Sequence, residues 1–405
     1  MFGITKKREN SRVGKRMNGI YVPFIPIRSS LTHSFTRVSK FVTERLYCKA
    51  PSKCLERGRE NTMKSCNPNA PLKLHRVSIV SQFAFALALA LFYATSSTSS
   101  AFEILMGTSQ TGTFDHHTGR AICRMLNNLA DDLECSVKPA DDAGHADAAV
   151  HNLTNIRSGS LDLGIVDSTR QADAVNQSGR FKFTDIRYDN LRSLISLNSI
   201  PFTVIAYQGS GIGSFDDLRG KSVNIGNQGS SQREIMNSLM AAKKWTKNEF
   251  RLVEQIPAAR SQDSMALCHR NVDAIVRVNV HPESSIQQIV KLCKAELISV
   301  SGPDIMQFIE QNPAYQATSI PGDTYASNPA PVDTFGVKAT LITTEEMDEA
   351  SAYTIVKTLF ENLDRLKRTH PSFASLTPQQ MHADSLTAPL HRGAIKYYRE
   401  KGWIQ

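Results

Sequence analysis

The stretch Gly213–Ala242 reads "GSFDDLRGKSVNIGNQGSSQREIMNSLMAA" and contains the unit from which the fold is built. Its apolar run Ser222–Gly226 predicts a strand, whereas Arg233–Ala242 has the apolar spacing of a helix. The loop Gln228–Ser231 between them is rich in glycine and serine. A strand, a short polar loop and a helix in this order predict an α/β unit with parallel strands.

The same order occurs earlier in the chain. Phe102–Met106 predicts a strand, Gly107–Asp115 a polar loop and Thr118–Leu129 a helix. Further strands are predicted at Ser136–Pro139, Asp162–Val166, Leu194–Tyr207, Arg251–Gln255, Asp273–Val278, Glu296–Ser299 and Thr334–Leu341. Further helices are predicted at Ala146–Ser158, Met347–Arg368 and Pro389–Lys401. Alternation of this kind is typical of the α/β class.

Two such series of elements predict two lobes. Residues 102–203 form the first part of lobe 1, residues 204–334 form lobe 2, and residues 335–405 return to lobe 1 as a strand and the C-terminal helices. Extended segments near Ile200–Tyr207 and Thr334–Leu341 would cross between the lobes as a two-strand hinge. Ligands of such folds bind at the carboxyl ends of strands, between lobes.

The charge is unevenly distributed along the chain. The whole chain carries a net charge of +9, but residues 1–101 hold 17 Lys or Arg against 4 Asp or Glu, whereas residues 102–405 hold 30 against 34. The body is therefore mildly acidic and contains no run of Lys or Arg longer than two. A nucleic-acid-binding body would need a basic stripe, so this partner class is not expected.

Residues 63–101 predict a cleaved signal peptide. Basic residues precede the apolar run Phe83–Ala94, and a Ser/Thr-rich stretch ends at Ala101. The alternative is an uncleaved anchor, but the run is short for a membrane span of roughly 20 residues. We therefore expect a periplasmic protein. Residues 1–62 are interpreted as an over-extended start or a disordered segment, with Met63 as the expected start.

Four cysteines follow the predicted cleavage point, at 123, 135, 268 and 293. An even number in an oxidising compartment indicates disulfides, and four cysteines allow three pairings. We favour the local pairs Cys123–Cys135 and Cys268–Cys293. The alternative is four small buried apolar side chains. No Cys-x-x-Cys occurs, so a zinc knuckle is not expected.

Several stretches in this order resemble one known family. They are "GTSQTGTF" from Gly107, "IRSGSLDLGIVDS" from Ile156, "SFDDLRGKSVNIGNQGSSQRE" from Ser214, "VDAIVRVNVHP" from Val272, "IPGDTY" from Ile320, "PVDTFGVKATLIT" from Pro331, "LFENLDRLKRTHPSF" from Leu359 and "PLHRGAIKYYREKG" from Pro389. From Phe102 to its end, the chain resembles the TAXI-type solute-binding proteins of TRAP transporters. The resemblance implies a type II periplasmic binding protein fold, capture of a small organic anion, delivery to a membrane permease, a monomer, and neither enzymatic activity nor a cofactor.

Two loops before helices are the predicted anion site. Free N–H groups at a helix start attract carboxylates, and hydroxyl groups add donors. The residues expected there are Thr108, Ser109, Thr111, Thr113, Gly229, Ser230 and Ser231, with Phe114 as a pocket wall. Ordinary turn and cap chemistry is the alternative for each loop. Asp167 and Ser168, at the end of a strand, are expected to bind a ligand ammonium or hydroxyl.

Arg277 is the sharper candidate, because it ends the apolar strand "DAIVRVN" where a cleft would lie, with Asn279 beside it. An Arg fork can hold a carboxylate through two parallel bonds. An ion pair with an acidic neighbour is the equally weighted alternative. The family usually has an apolar residue or glycine here, so Arg277 is a departure from the family pattern.

The triplet Asp115-His116-His117 echoes the signature of metal-dependent DHH phosphoesterases. The upstream acidic loop that this signature needs is missing, and consecutive side chains diverge, so no metal site is expected. Asp115 is interpreted as favouring the helix N-terminus, and either histidine as a source of pH-dependent binding. The rival functions are a ligand sensor without transport and a metal-dependent hydrolase. No Gly-x4-Gly-Lys-Ser/Thr stretch indicates a nucleotide site.

Overall fold

The computed structural model describes residues 102–143, 147–256 and 261–405. The predicted signal peptide and residues 1–62 lie outside this range. The strands are β1 (Phe102–Thr108), β2 (Leu133–Pro139), β3 (Leu163–Asp167), β4 (Leu191–Tyr207), β5 (Ser222–Asn224), β6 (Leu252–Glu254), β7 (Ala274–Val278), β8 (Ala295–Ile298), β9 (Tyr315–Ile320) and β10 (Val332–Thr344). The α-helices are α1 (Phe114–Leu129), α2 (Ala148–Arg157), α3 (Ser168–Asn176), α4 (Ser231–Ala242), α5 (Gln262–Cys268), α6 (Ser284–Cys293), α7 (Pro303–Gln311), α8 (Glu349–Glu361), α9 (Leu363–Lys367), α10 (Pro378–Ala383) and α11 (Arg392–Glu400).

The strands form one path in the order β2-β1-β3-β10-β4-β7-β5-β6, with β8 beside β4 and β9 beside β10. In the first lobe β2, β1 and β3 are parallel, and β10 runs antiparallel to β3 and β4. In the second lobe β6, β5 and β7 are parallel, and β4 runs antiparallel to β7 and β8. Two α/β lobes that share two crossing strands constitute the type II periplasmic binding protein fold, so the predicted fold class is confirmed.

The strands β4 and β10 connect the lobes. Strand β4 pairs with β10 up to Pro201 and with β7 from Phe202 onward, so one strand belongs to both lobes. The two backbones approach closely at Gly336, where a Cβ atom would overlap the carbonyl oxygen of Ile200. A side chain at position 336 would therefore separate the crossing strands. Glycine allows close backbone approach at such a point.

Each lobe has its own apolar core. In the first, β1 and β3 pack against α1 and α8 through fully buried residues such as Ile104, Leu126 and Leu359. In the second, β5 and β7 pack against α4, with Val223 and Leu239 fully buried. Complete burial of side chains of this size stabilises the fold by about 1.5–3 kcal/mol each. Within the described ranges, the helices lack the length and apolar character that crossing a membrane requires.

Both predicted disulfides are present. Cys123 in α1 is bonded to Cys135 in β2, and Cys268 at the end of α5 is bonded to Cys293 at the end of α6. Each bridge ties neighbouring elements of one lobe together, so the hinge is not cross-linked by either of them.

The predicted C-terminal helix Met347–Arg368 is interrupted. Helix α8 ends at Glu361 and α9 begins at Leu363, because Asn362 leaves the helical conformation and its side chain donates a hydrogen bond to the carbonyl of Thr358. An asparagine that bonds the preceding turn competes with the helical ladder. The prediction of one continuous helix was wrong at this residue.

His281 forms a buried polar network near the point where β4 and β7 meet. Its Nε2 atom lies 2.9 Å from the hydroxyl of Thr203, and its Nδ1 atom lies 2.6 Å from the hydroxyl of Tyr325. Burial lowers the pKa of His281 to about 4, although the charge of Glu283 acts in the opposite direction. The imidazole is therefore neutral in the folded protein at neutral pH.

We expect His281 to make the fold acid-sensitive. The pKa of His281 is lower in the folded than in the unfolded chain. Its contribution to the free energy of unfolding is therefore complete above about pH 6.5 and is lost as the pH falls toward 4. The loss amounts to about 3 kcal/mol. Urea unfolding of the wild type and of His281→Asn, repeated between pH 7 and pH 4.5, measures it. The exposed His269→Asn is the control; an equal pH slope in all three proteins would refute the expectation.

Candidate functional site

A cleft of about 1210 Å³ lies between the lobes. The segment after β1, the end of β3, the starts of α1 and α2, and α3 contribute its first-lobe wall. Helix α4, the end of β7 and the segment between α7 and β9 contribute the other wall. The polar and charged lining residues are Ser109, Gln110, Thr113, Asp115, Asp147, Asp167, Thr169, Arg170, Asp173, Asn176, Ser178, Ser231, Glu234, Ser238, Asn279, Gln311, Asn312, Tyr315, Gln316, Ser385 and Thr387. Carboxylates, hydroxyls and amides dominate this surface.

The structure brings six of the twelve predicted binding residues to the cleft. They are Ser109, Thr113, Phe114, Asp167, Ser231 and Asn279. Thr113 also caps α1, because its hydroxyl accepts a hydrogen bond from the backbone N–H of His116. Asp167 likewise caps α3, accepting from the N–H groups of Thr169 and Arg170. Thr113 and Asp167 therefore each cap a helix and also line the cleft.

The loop before α1 holds two predicted residues outside the lining. Thr108 is completely buried, and its hydroxyl lies 3.1 Å from His116 Nδ1. Thr111 is exposed and donates its hydroxyl and its backbone N–H to the carboxylate of Asp141. Both threonines therefore shape the loop, and the structure does not place either of them at the ligand surface.

The loop before α4 also holds two predicted residues outside the lining. The hydroxyl of Ser230 accepts the N–H of Arg233 and so caps α4. Gly229 has a φ of +82°, which suits glycine, and its carbonyl accepts a hydrogen bond from Arg180 of the first lobe. This loop is therefore a point of contact between the lobes.

Ser168 also lies outside the lining. Its hydroxyl donates to the carbonyl of Ala314 at 2.6 Å and accepts the N–H of Lys338 at 3.0 Å. It is completely buried. Because these bonds commit the hydroxyl to the segment before β9 and to β10, it stabilises the interlobe packing behind the cleft.

Arg277 does not reach the cleft, and the binding role predicted for it is corrected here. Its Nη2 atom donates to Asp263 Oδ1 at 2.7 Å, and its Nε atom lies 2.6 Å from Oδ2, a contact with ion-pair distance but without hydrogen-bond geometry. The two side chains are 8% and 1% exposed. Strand β7 turns this side chain toward α5, and the neighbours Val278 and Asn279 line the cleft instead.

Arg170 is the charged centre of the cleft, and it was absent from the predicted site. Its Nε atom lies 2.7 Å from Asp147, its Nη1 atom 3.5 Å from Asp173 and its Nη2 atom 2.5 Å from Glu234. Burial lowers the pKa of Arg170, but the charges of Asp167 and Asp147 outweigh this effect and raise it above the ordinary value. Glu234 lies in the first turn of α4, so this pair joins the two lobes.

One sequence signal for Arg170 existed. A cation in the first turn of a helix faces the positive end of the helix dipole, which is unfavourable unless acidic groups compensate for it. Arg170 is the third residue of α3. An arginine in that position therefore indicates a nearby cluster of carboxylates, although it does not identify them.

The triplet Asp115-His116-His117 points in three directions. Asp115 lines the cleft and accepts a hydrogen bond from the hydroxyl of Ser109 at 2.8 Å. His116 faces Thr108 and a shallow groove outside the cleft, and His117 is exposed. Within residues 102–143, 147–256 and 261–405, no group of three or more His, Cys, Asp or Glu residues is placed to hold a metal ion. Neither histidine belongs to the cleft lining.

Comparison with known proteins identifies the family. The model of the NMT1-like family matches residues 106–402. The chain belongs to the NMT1-like family. The structure is similar to the TctC solute-binding protein from Polaromonas, with 14% identity and a TM-score of 0.46, over 76% of this chain and 100% of that chain. It is also similar to the periplasmic aliphatic sulphonate binding protein SsuA from Escherichia coli, with 13% identity and a TM-score of 0.41, over 75% and 88%.

Proposed function

We propose that this member of the NMT1-like family is an extracytoplasmic solute-binding receptor that encloses a small solute between its lobes. The cleft of about 1210 Å³ carries the proposal, because both lobes line it. Small-molecule sites are clefts of about 300–1,000 Å³ that occur preferentially at such junctions, and this cleft is large enough for one. Strands β4 and β10 are the proposed hinge, and the proposed lobe limits are 102–203 with 335–405, and 204–334.

The receptor is proposed to be exported by cleavage of the segment 63–101 and to act as a monomer in the periplasm. Its proposed partner is a membrane permease of the TRAP type, as the TAXI resemblance implies. Ligand-driven closure would present the permease with a different surface from that of the free form. A ligand sensor without transport would bind the solute and close in the same way, and it would differ only in the membrane partner on which it docks.

The resemblance predicts a small organic anion such as glutamate, a keto acid or a dicarboxylate. The hydroxyl of Ser231 in the lining supports that ligand class, because it can donate a hydrogen bond to a carboxylate. The hydroxyls of Ser109 and Thr113 already donate to Asp115 and to the carbonyl of Gln110. The five carboxylates in the lining are unfavourable for an anionic ligand, because they repel its charge. The receptor proposal therefore does not depend on an anionic ligand.

A ligand screen followed by reconstitution tests the receptor proposal. Amino acids, keto acids, dicarboxylates and amines are added singly, and the melting temperature of the mature protein is measured. A ligand present at 100 times its Kd stabilises the fold by about 2.7 kcal/mol. Calorimetry should then give one site per chain, and proteoliposomes holding the permease should take up the ligand only when the receptor is added. Binding without stimulated uptake would favour the ligand sensor without transport. Turnover of the solute would contradict the receptor proposal.

A further inference from the structure

The charges of the cleft lining are strongly one-sided. The lining carboxylates are Asp115, Asp147, Asp167, Asp173 and Glu234. Arg170 is the single cationic lining residue in the described part of the chain. Lys338 is buried near the cleft but outside the lining, and it pairs with Asp384 at 3.6 Å. An anionic solute would therefore meet a surface that already carries an excess of negative charge.

Three of the five carboxylates form ion pairs with the described residues. Arg170 contacts Asp147, Asp173 and Glu234, and Arg180 lies 3.6 Å from Asp147 and from Glu234. The side chain of Arg170 is 4% exposed, and each nitrogen of its guanidinium contacts one of these carboxylates. It is not available as an anchor for a ligand carboxylate unless one of its own partners leaves.

Asp115 and Asp167 are the two lining carboxylates without an ion pair among the described residues. Asp115 accepts one hydrogen bond, from Ser109 to Oδ2, and Asp167 uses Oδ1 to cap α3. In each, the other oxygen accepts no hydrogen bond from the described residues. Ser109 directly follows β1 and bonds Asp115, whereas Asp167 ends β3, the parallel neighbour of β1, so the two carboxylates lie at the same edge of the sheet. Burial raises the pKa of Asp115, and the charge of Asp167 is a further cause, although the Ser109 bond opposes this.

Ser385 supplies an independent indication of a ligand. It lines the cleft and is 5% exposed, and its hydroxyl has no hydrogen-bond partner among the described residues. A buried polar group without a hydrogen-bond partner destabilises the fold. A solute with hydrogen-bonding groups, or a water molecule that precedes it, would remove this cost.

Two aromatic residues complete the surroundings. Phe114 and Tyr315 both line the cleft. The hydroxyl of Ser168, which follows Asp167, bonds the carbonyl of Ala314, which precedes Tyr315. Burial raises the pKa of Tyr315 to about 12, and the charge of Asp167 is a further cause. Aromatic rings next to carboxylates are suited to ammonium groups, because the electron-rich face of a ring attracts a cation.

We propose that the solute carries a protonated amine, which binds between Asp115 and Asp167, and that it has no net negative charge. An ammonium group offers three donors, enough for the two carboxylates and one hydroxyl. This inference rests on the proposed receptor function and narrows its ligand to amines and to cationic or zwitterionic amino acids. Keto acids and dicarboxylates are excluded.

A matched pair of four-carbon probes tests the ligand class. We expect 1,4-diaminobutane, or lysine as a second amine, to raise the melting temperature of the mature protein, and succinate to leave it unchanged. Calorimetry of the stabilising amine with Asp115→Asn and Asp167→Asn should show at least tenfold weaker binding, which corresponds to about 1.4 kcal/mol. Asparagine retains the shape and, at position 167, the capping ability of aspartate. Asp189→Asn, an exposed residue remote from the lining, is the control.

The outcomes separate this inference from the receptor function. If succinate or 2-oxoglutarate binds at one site per chain and both amines do not, the amine inference fails and the receptor stands. If an amine binds equally well to Asp115→Asn and Asp167→Asn, with circular dichroism showing both variants folded, the assignment to these carboxylates is overturned. If the full screen yields no ligand, the receptor proposal itself is contradicted.

Discussion

Arg277→Ala lowers the free energy of unfolding by about 3–5 kcal/mol. The substitution removes the guanidinium from a carboxylate, Asp263, that is 1% exposed and receives its ion pair from this residue. An uncompensated buried charge is costly, and the excised side chain also leaves a void in the packing between α5 and β7. Urea unfolding at pH 7, followed by circular dichroism, measures the loss.

A double substitution provides the control for Arg277. Asp263→Leu combined with Arg277→Met removes both charges and retains most of the volume, so we expect it to recover most of the lost stability. Affinity for any cleft ligand should be the same in the folded double variant and the wild type. A stability loss below about 1 kcal/mol for Arg277→Ala, together with a tenfold weaker affinity, would instead restore the binding role that the sequence indicated.

The strands and helices that the sequence revealed are those with an apolar face. Strands β1, β3, β4, β7 and β10 were all predicted, because runs such as "AIVRV" at Ala274–Val278 are almost entirely buried. Helix α3 was missed, since its buried face includes the polar residues Ser168, Arg170 and Gln171. Strand β9 was missed as well, because "YQATSI" buries just its two ends, Tyr315 and Ile320.

Half of the predicted binding residues line the cleft, and the cause is again whether the signal in the sequence is local. The Gly/Ser/Thr loops before α1 and α4 are local signals, and three residues that they indicated, Ser109, Thr113 and Ser231, line the cleft. Their role in binding stays a prediction. The acidic centre is not local. Arg170 meets Glu234, which lies 64 positions further along the chain, and a sequence gives no register for such a pair. Arg277 shows the converse error, since its position at a strand end indicated a cleft and its partner lay in the adjacent helix.

Arg170→Met is the second large effect, with an expected loss of about 3–5 kcal/mol at pH 7. Methionine fills much of the volume but leaves Asp147, Asp173 and Glu234 without their closest cation. Among the described residues, Glu234 then keeps one ion pair to the first lobe, through Arg180 at 3.6 Å. We therefore also expect a larger radius of gyration by small-angle X-ray scattering, because the lobes lose their main ion pair.

The pH dependence of the Arg170→Met deficit distinguishes charge from packing. Carboxylates crowded together without a cation have pKa values above those of the unfolded chain, so they destabilise the fold at high pH and stop doing so as they bind protons. The difference from the wild type should therefore shrink between pH 7 and pH 5. Arg187→Met, which breaks an exposed pair with Asp189, should change stability by less than about 1 kcal/mol at either pH. A deficit for Arg170→Met that is constant with pH would mean that the arginine acts through its packing, and the acidic cleft would then need no internal cation.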